Sequence, residues 1–277
     1  MRSLALLVTA LLAAAAIAVG GAGANGSPYS PGLVYGWPGV GAGDGVRFVA
    51  FGMPRSTIVA AVRTRDGRVL RSKALRGFVG VPLVAYDGTT GGLSGNGRSL
   101  ALSSYGPGPG VTGHTTFLVL DTRSLKPRLR VNLSGTWSFD AISPSGSMLY
   151  LVEHISVGAD PKYRVRTFDV ANRRLGGAIV DRLEEEEVMG GVPVTRASSR
   201  DGRWAYTLYA REQHEPFVHA LDTARREAFC IDLPLDYGRP RQDRLRLRLD
   251  AEGKALAVRL GHTKVAEIDT ESWKVRT

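Results

Sequence analysis

Residues 137–154 read WSFDAISPSGSMLYLVEH, and residues 194–210 read VTRASSRDGRWAYTLYA. Both pass from a half-polar stretch through a Ser/Asp/Gly turn into an almost unbroken apolar strand. With the turn glycine as anchor, the pattern recurs in AGDGVRFVAF (Gly45), LSGNGRSLALSS (Gly97), SPSGSMLYLV (Gly146), SRDGRWAYTLY (Gly202) and DAEGKALAVRL (Gly253). The steps between anchors are 52, 49, 56 and 51 residues. A second marker trails each anchor: RTRDGRVL, LDTRSLKPRL, FDVANRRL, LDTARREAF and IDTESWKVRT. In the last four an aspartate closes a strand: Asp121, Asp169, Asp222 and Asp269. Two independent turn markers sharing one period identify a repeat.

Each unit reads as four short strands, A to D. Strand A precedes the glycine turn and B follows it; C leads to the aspartate turn and D follows that. Strand B is apolar on both faces, as a strand must be when its sheet is sandwiched between two others. Strand D alternates: Leu129, Val131 and Leu133 oppose Arg128, Arg130 and Asn132, the signature of a half-wet outer strand. A four-stranded unit of about fifty residues is the sequence pattern of a β-propeller blade. The expected fold is therefore all-β, a propeller of five four-stranded blades over residues 32–277. The inner stretches TTGGLSG and GVGAGDG are small enough for the crowded axis of a small ring. Ring closure is not legible, and an open arc stays open as an alternative.

The turns SPSG and SRDG and the strand-end LDT resemble those of the YVTN/lactonase-like and WD40-like β-propeller group, over roughly residues 32–277. The Gly-His and Trp-Asp signatures of the WD40 family proper are absent. Long stretches such as PFVHALDTARREAFCIDLP also resemble exported proteins of high-GC actinobacteria. These resemblances imply a fold and a compartment, and carry no activity.

The N-terminus agrees on compartment. Met1-Arg2-Ser3 is a short basic start to an apolar run, Leu4 to Val19, and Ala22-Gly23-Ala24 offers the small residues of a signal-peptidase site. Residues 1–24 are read as a signal peptide cleaved after Ala24, and 25–31 as a linker. The alternative is an uncleaved anchor, since the run with its Gly/Ala extension approaches the ~20 residues of a membrane span. A secreted or cell-envelope location follows. The single cysteine, Cys230, permits no intramolecular disulfide. In AFCIDL it reads as a small buried hydrophobe. The formal charge is +10, carried by 30 arginines against 6 lysines. That surplus suits an anionic glycan or a membrane surface as well as nucleic acid, and the export signal argues against nucleic acid.

Function is expected on the loops. On a propeller the tight A–B and C–D turns share one face, and the longer B–C and D–A connections share the other. His114, His154, His214 and His262 fall on that second face, with His219 just inside a strand. No two of them share a metal-ligand spacing, so no metal and no cofactor are expected. The acidic run Glu184 to Glu187 lacks the D-x-D-x-D-G calcium loop and reads as solvated. Loop residues Tyr105, Tyr163 and Tyr237 are the aromatics available to a partner. Arg244, Arg246 and Arg248 lie on one face of RLRLRLD, where they would line the axis or a blade seam. There they would either hold an anion or pair with carboxylates. No G-x-S-x-G or H-E-x-x-H motif occurs. Among aligned inner positions Asp140 is the one acid; Arg196, Leu247, Gly91 and Gly39 occupy the others. The expected function is a non-catalytic binding or scaffold module for a protein or cell-envelope glycan. Its candidate site residues are Asp140, Arg196, Arg244, Arg246, Arg248, His114, His154 and His214. The rival is a hydrolase or lactonase-like enzyme with an axial site near Asp140, Arg196 and Arg246.

Overall fold

The computed structural model describes residues 33–34, 39–41, 43–53, 55–104, 113–156, 161–185 and 188–277. The expected signal peptide and linker, Tyr105, Glu186 and Glu187 lie outside these residues.

Five antiparallel sheets follow one another along the chain, each a meander whose spatial order is its sequence order. A two-stranded ladder stands apart: β1 (Leu33–Val34) pairs with β6 (Val81–Pro82), which leads into the second sheet. The first sheet holds β2 (Val40–Gly41), β3 (Val46–Met53), β4 (Ser56–Arg63) and β5 (Val69–Arg76). The second holds β7 (Ser99–Ser103), β8 (His114–Asp121) and β9 (Pro127–Ser134). Its expected inner strand is reduced to a single bridge, Leu93 to Leu100. The third holds β10 (Trp137–Ile142), β11 (Met148–Ser156), β12 (Lys162–Asp169) and β13 (Arg174–Ala178), and β14 (Met189–Gly190) also pairs with β12. The fourth holds β15 (Val192–Ser198), β16 (Trp204–Ala210), β17 (Phe217–Asp222) and β18 (Glu227–Asp232). After a short helix, α1 (Arg239–Gln242), the fifth holds β19 (Leu245–Leu249), β20 (Ala255–Leu260), β21 (Thr263–Asp269) and β22 (Val275–Arg276). Successive four-stranded meanders of this kind are propeller blades in topology. The chain is an all-β propeller-type fold.

The apolar strands bury as their two-sided pattern requires. All five residues of β7 are buried, and β16 is buried from Ala205 to Ala210. Outer strand β9 alternates, with Leu129 buried and Arg128 and Arg130 exposed. Four apolar clusters join neighbouring sheets: Phe48, Val59 and Leu100 between first and second; Phe117, Phe139 and Phe168 between second and third; Val165, Tyr209 and Phe217 between third and fourth; Leu208, Leu245 and Ile268 between fourth and fifth. None of the four joins the fifth sheet to the first. The inner edges meet across the centre, where Tyr86 and Asp87 donate their backbone N–H groups to Pro193 and Val194 carbonyls at 3.0 Å. Gly95 abuts the fourth sheet's turn so closely that a Cβ there would lie 1.8 Å from the Asp201 carbonyl oxygen. That contact explains a glycine-rich inner stretch.

The two turn markers are one structural device. All five anchor glycines adopt left-handed φ, from +67° at Gly97 to +78° at Gly45, a conformation that costs other residues about 1–2 kcal/mol. At the aspartate turns the residue four positions on is also left-handed: Leu125, Arg173, Arg226 and Trp273. Each aspartate side chain accepts the N–H three residues ahead, as Asp121 does from Ser124 at 2.8 Å, which closes the turn without glycine. The threonine beside the aspartate then donates its hydroxyl to the anchor-glycine carbonyl. The distances are 2.7 Å for Thr122 to Gly97, 2.9 Å for Thr223 to Gly202 and 2.7 Å for Thr270 to Gly253. In the first repeat Thr64 does the same to Gly45 at 3.0 Å. The third repeat has Val170 instead.

Thr122→Val and Thr223→Val should each lower the free energy of unfolding by about 1 kcal/mol, the usual net worth of one such bond, read from urea midpoints. Gly97→Ala has open space for its Cβ, so its expected loss of about 1 kcal/mol measures backbone conformation alone.

Candidate functional site

The third and fourth sheets enclose buried polar groups, Asp140, Asp181, Thr195, Thr207 and His219 among them. Between β10 and β11 the register passes from Phe139↔Leu151 to Ala141↔Tyr150, so Asp140 is the extra residue of a β-bulge. A bulge re-aims its side chain, and this one turns the Asp140 carboxylate onto Arg196 of β15, with which it forms an ion pair. The Arg196 guanidinium also donates to the Asp140 backbone carbonyl, and its Nε donates to Thr207 Oγ1 at 2.9 Å. The side chains of Asp140 and Arg196 are 2% and 5% exposed. Asp140 Oδ2 has no hydrogen-bond partner in the structure.

Aromatic rings fill the space beside the pair. Tyr209 stacks on Tyr163 at 5.4 Å and on Phe217 at 5.1 Å, and His219 meets Tyr209 edge-on at 6.4 Å. The Tyr163 hydroxyl donates to the Gly190 carbonyl at 3.2 Å. Burial pushes the Tyr163 and Tyr209 hydroxyls above their usual range. It pulls His219 below its own, with Asp140 opposing the shift and Arg196 reinforcing it. His154 hydrogen-bonds Ser138 Oγ through Nε2 at 2.6 Å, and burial takes its pKa down to about 4. Both histidines are neutral imidazoles at pH 7.

Two pockets open on this seam. One, of about 340 Å³, lies on the axis against Gly91, Ser94, Asp140, Arg196, Arg200 and Trp204. The other, of about 460 Å³, lies toward the rim and reaches Asp181, Met189, His214 and Cys230. Asp140 and Arg196 do meet at the axis, as the aligned inner positions suggest. They neutralise each other, however, so the axial pocket has no free carboxylate from Asp140 to offer a substrate.

The other expected residues scatter. His114 is exposed and lies 3.4 Å through Nδ1 from Ser134 Oγ. His214 is exposed, and its carbonyl accepts Gln242 Nε2 at 2.9 Å. Among the described residues no three His, Cys, Asp or Glu side chains converge as a metal site would require. Tyr163, read as a loop aromatic, is buried, and Tyr237 is half-buried under the Arg241 guanidinium, 4.2 Å from its ring centre. Cys230 is half-buried, with burial first and then Asp181 raising its thiol pKa.

The arginine stretch needs a correction. Arg246 and Arg248 line neither the axial pocket nor a seam between sheets; both project from the open face of the fifth sheet, and Arg244 is exposed just before β19. The reason is the alternation of the strand: Leu245, Leu247 and Leu249 pack in the cluster shared with the fourth sheet, which puts Arg246 and Arg248 on the opposite, exposed face. Arg259 opposes Arg246 across the strand pair, a bulge at Val265 brings Lys264 opposite Arg259, and Arg276 opposes Glu267. Glu267 pairs with Lys264 at 2.7 Å. Sequence reasoning missed Arg259, Lys264 and Arg276 as members of this face. It also missed His219 opposite Cys230, a pairing legible by counting back equally from the Asp222–Glu227 hairpin.

No family model matches the chain, and no curated protein matches it. Among solved structures it is similar to hydrazine synthase of Kuenenia stuttgartiensis, with 16% identity, TM-score 0.44, and coverage of 90% of this chain and 79% of that one. It is also similar to apo AztD from Citrobacter koseri (15%, 0.39, 83% and 58%) and to the Dos1 propeller (11%, 0.42, 77% and 47%). The chain thus spans less than two thirds of the last two. At such scores the propeller assignment rests on the chain's own sheets.

Asp140→Ala should destabilise by about 3–5 kcal/mol, because it strands a buried guanidinium. Asp140→Leu with Arg196→Met should recover most of that loss, as measured by a double-mutant cycle of urea unfolding. His154 has a folded pKa depressed below its unfolded value, so it contributes stability that is complete above pH 6.5 and lost as pH falls toward 4. His154→Gln should flatten the melting temperature against pH across that window.

Proposed function

We propose that the protein is a non-catalytic binding module whose five sheets act as five blades. We further propose that the partner is an extended polyanion, in first place an acidic glycan of the cell envelope. The observation that carries this reading is the outer face of the fifth sheet, where five cations, Arg246, Arg248, Arg259, Lys264 and Arg276, outnumber two acids, Glu267 and, at the turn end, Asp269. Alternate residues of a strand stand about 7 Å apart and neighbouring strands about 4.8 Å apart, so the cations form a two-dimensional lattice suited to a charged chain. Guanidinium groups pair bidentately with carboxylate and sulfate-like oxygens. The face carries no aromatic ring on which a neutral sugar would stack, so charge is its means of recognition. The overall charge of +10 adds long-range attraction of the same sign. The N-terminal export signal, cleaved after Ala24, would bring the chain to the compartment where such glycans occur. The hydrolase reading draws little support, since its axial acid is held in the Asp140–Arg196 pair.

Binding to polygalacturonate, followed by titration calorimetry, should weaken steeply between 50 and 300 mM salt. Arg246→Ser, Arg248→Ser and Arg259→Ser combined should reduce it about tenfold or more, each exposed pair contributing up to about 1 kcal/mol. Neutral dextran should not bind. Binding of polyglutamate in preference to every acidic glycan would move the partner to an acidic protein segment, and silence with both would sink the proposal.

A further inference from the structure

His219 of β17 and Cys230 of β18 are directly opposed across the outer hairpin of the fourth sheet, so their side chains rise from the same face toward the third sheet. Cys230 Sγ lies 3.6 Å from His219 Nδ1. It lies 3.7 Å from Met189 Sδ, which β14 carries in through its pairing with the end of β12. We propose that Cys230, Met189 and His219 form a binding site for a soft monovalent cation of the Cu(I) class, reached through the 460 Å³ rim pocket that Cys230 and Met189 line.

Four observations support the assignment. First, two ligands held about 2.0–2.3 Å from a shared metal at tetrahedral to trigonal angles lie about 3.5–4.0 Å apart, which matches both distances to Cys230 Sγ. Second, thiol and thioether sulfurs select soft cations, and imidazole is compatible with them. With the Met189 thioether beside Cys230, the donor set is softer than that of a zinc or calcium site. Third, the surroundings hold unmet polar groups. His219 is 2% exposed with Nε2 unpartnered, and Asp181 is 4% exposed with Oδ2 unpartnered. Asp181 Oδ1 accepts the Cys230 N–H at 2.9 Å, which holds the carboxylate beside the thiol. A buried carboxylate of this kind is stabilised by a nearby positive centre. Fourth, the pocket supplies a route: Asp181, Glu184, Glu212 and Asp232 line it against Lys162 and Arg211, a balance that draws cations inward.

Binding exchanges one proton for one metal ion. The Cys230 S–H bond breaks, the proton passes to solvent buffer, and a sulfur–metal bond forms with no change in oxidation state. Met189 and His219 donate lone pairs and lose nothing.

The test is an anaerobic titration of the reduced full chain with Cu(I) against a chromophoric Cu(I) chelator, repeated with Ag(I). One equivalent of each should bind. Met189→Leu, which conserves volume and apolarity, should weaken binding at least tenfold while leaving the melting temperature nearly unchanged, and Cys230→Ser should abolish it. X-ray absorption of the Cu(I) form should show two sulfur neighbours and one nitrogen. Failure of the wild-type chain to bind would overturn the site, as would Met189→Leu binding like wild type or a copper shell without sulfur. Should Cys230→Ser fail to fold, Met189→Leu and the absorption spectrum still decide.

Discussion

The hydrogen bond from a threonine hydroxyl to an anchor-glycine carbonyl ties the inner hairpin to the outer hairpin in four of the five sheets. It runs from Thr64, Thr122, Thr223 and Thr270. Both turns are left-handed at one residue. The bond therefore sets where strands A and B stand relative to C and D, and through them which residues face the adjacent sheet. Everything that follows depends on that register: the apolar clusters between sheets, the aspartate turns and the seam that holds the polar groups. The inner strands of both the third and the fourth repeats carry a bulge. The third repeat lacks the hydroxyl, and it is also the repeat with an extra strand at its outer end.

That same sheet borders the seam where buried chemistry concentrates. A bulge can place a carboxylate inside a sheet-to-sheet interface, because the extra residue is left out of the ladder and its side chain is re-aimed as the strand bends. Asp140 uses it to reach Arg196. The pair is costly to desolvate and costly to break, so it fixes how the third and fourth sheets meet. The tyrosines and His219 then pack in a buried environment that holds the imidazole neutral, and burial raises the pKa of the half-buried Cys230 thiol beside them.

The fifth sheet shows the opposite condition. Among the described residues its apolar cluster joins it to the fourth sheet alone, and its alternating Arg-Leu strand sorts accordingly, leucines toward the fourth sheet and arginines outward. A propeller blade flanked on both sides would bury those arginines. Here they stand in water with Arg259, Lys264 and Arg276, a charged plane rather than a seam.

Much of the architecture was legible in the residues. The fifty-residue period, the glycine and aspartate turns, the doubly apolar strand B and the half-wet strand D are local patterns with local physical causes, so reading them needs no knowledge of what lies across a seam. Asp140 and Arg196 could likewise be singled out, since they occupy equivalent inner positions of adjacent repeats. The sequence could not show the bulge that turns one onto the other, because a bulge arises from a mismatch between two strands and leaves no mark on either. Nor could it place Arg246 and Arg248, whose alternation says that they share a face but not whether that face meets protein or solvent. The meeting of Met189 with Cys230 is of the same kind, brought about by a two-residue strand with no periodicity to read. Turn chemistry and strand polarity are properties of a few consecutive residues, and the sequence determines them. Which faces are covered, and which distant groups meet, depends on the stacking of whole sheets, and only the tertiary structure decides it.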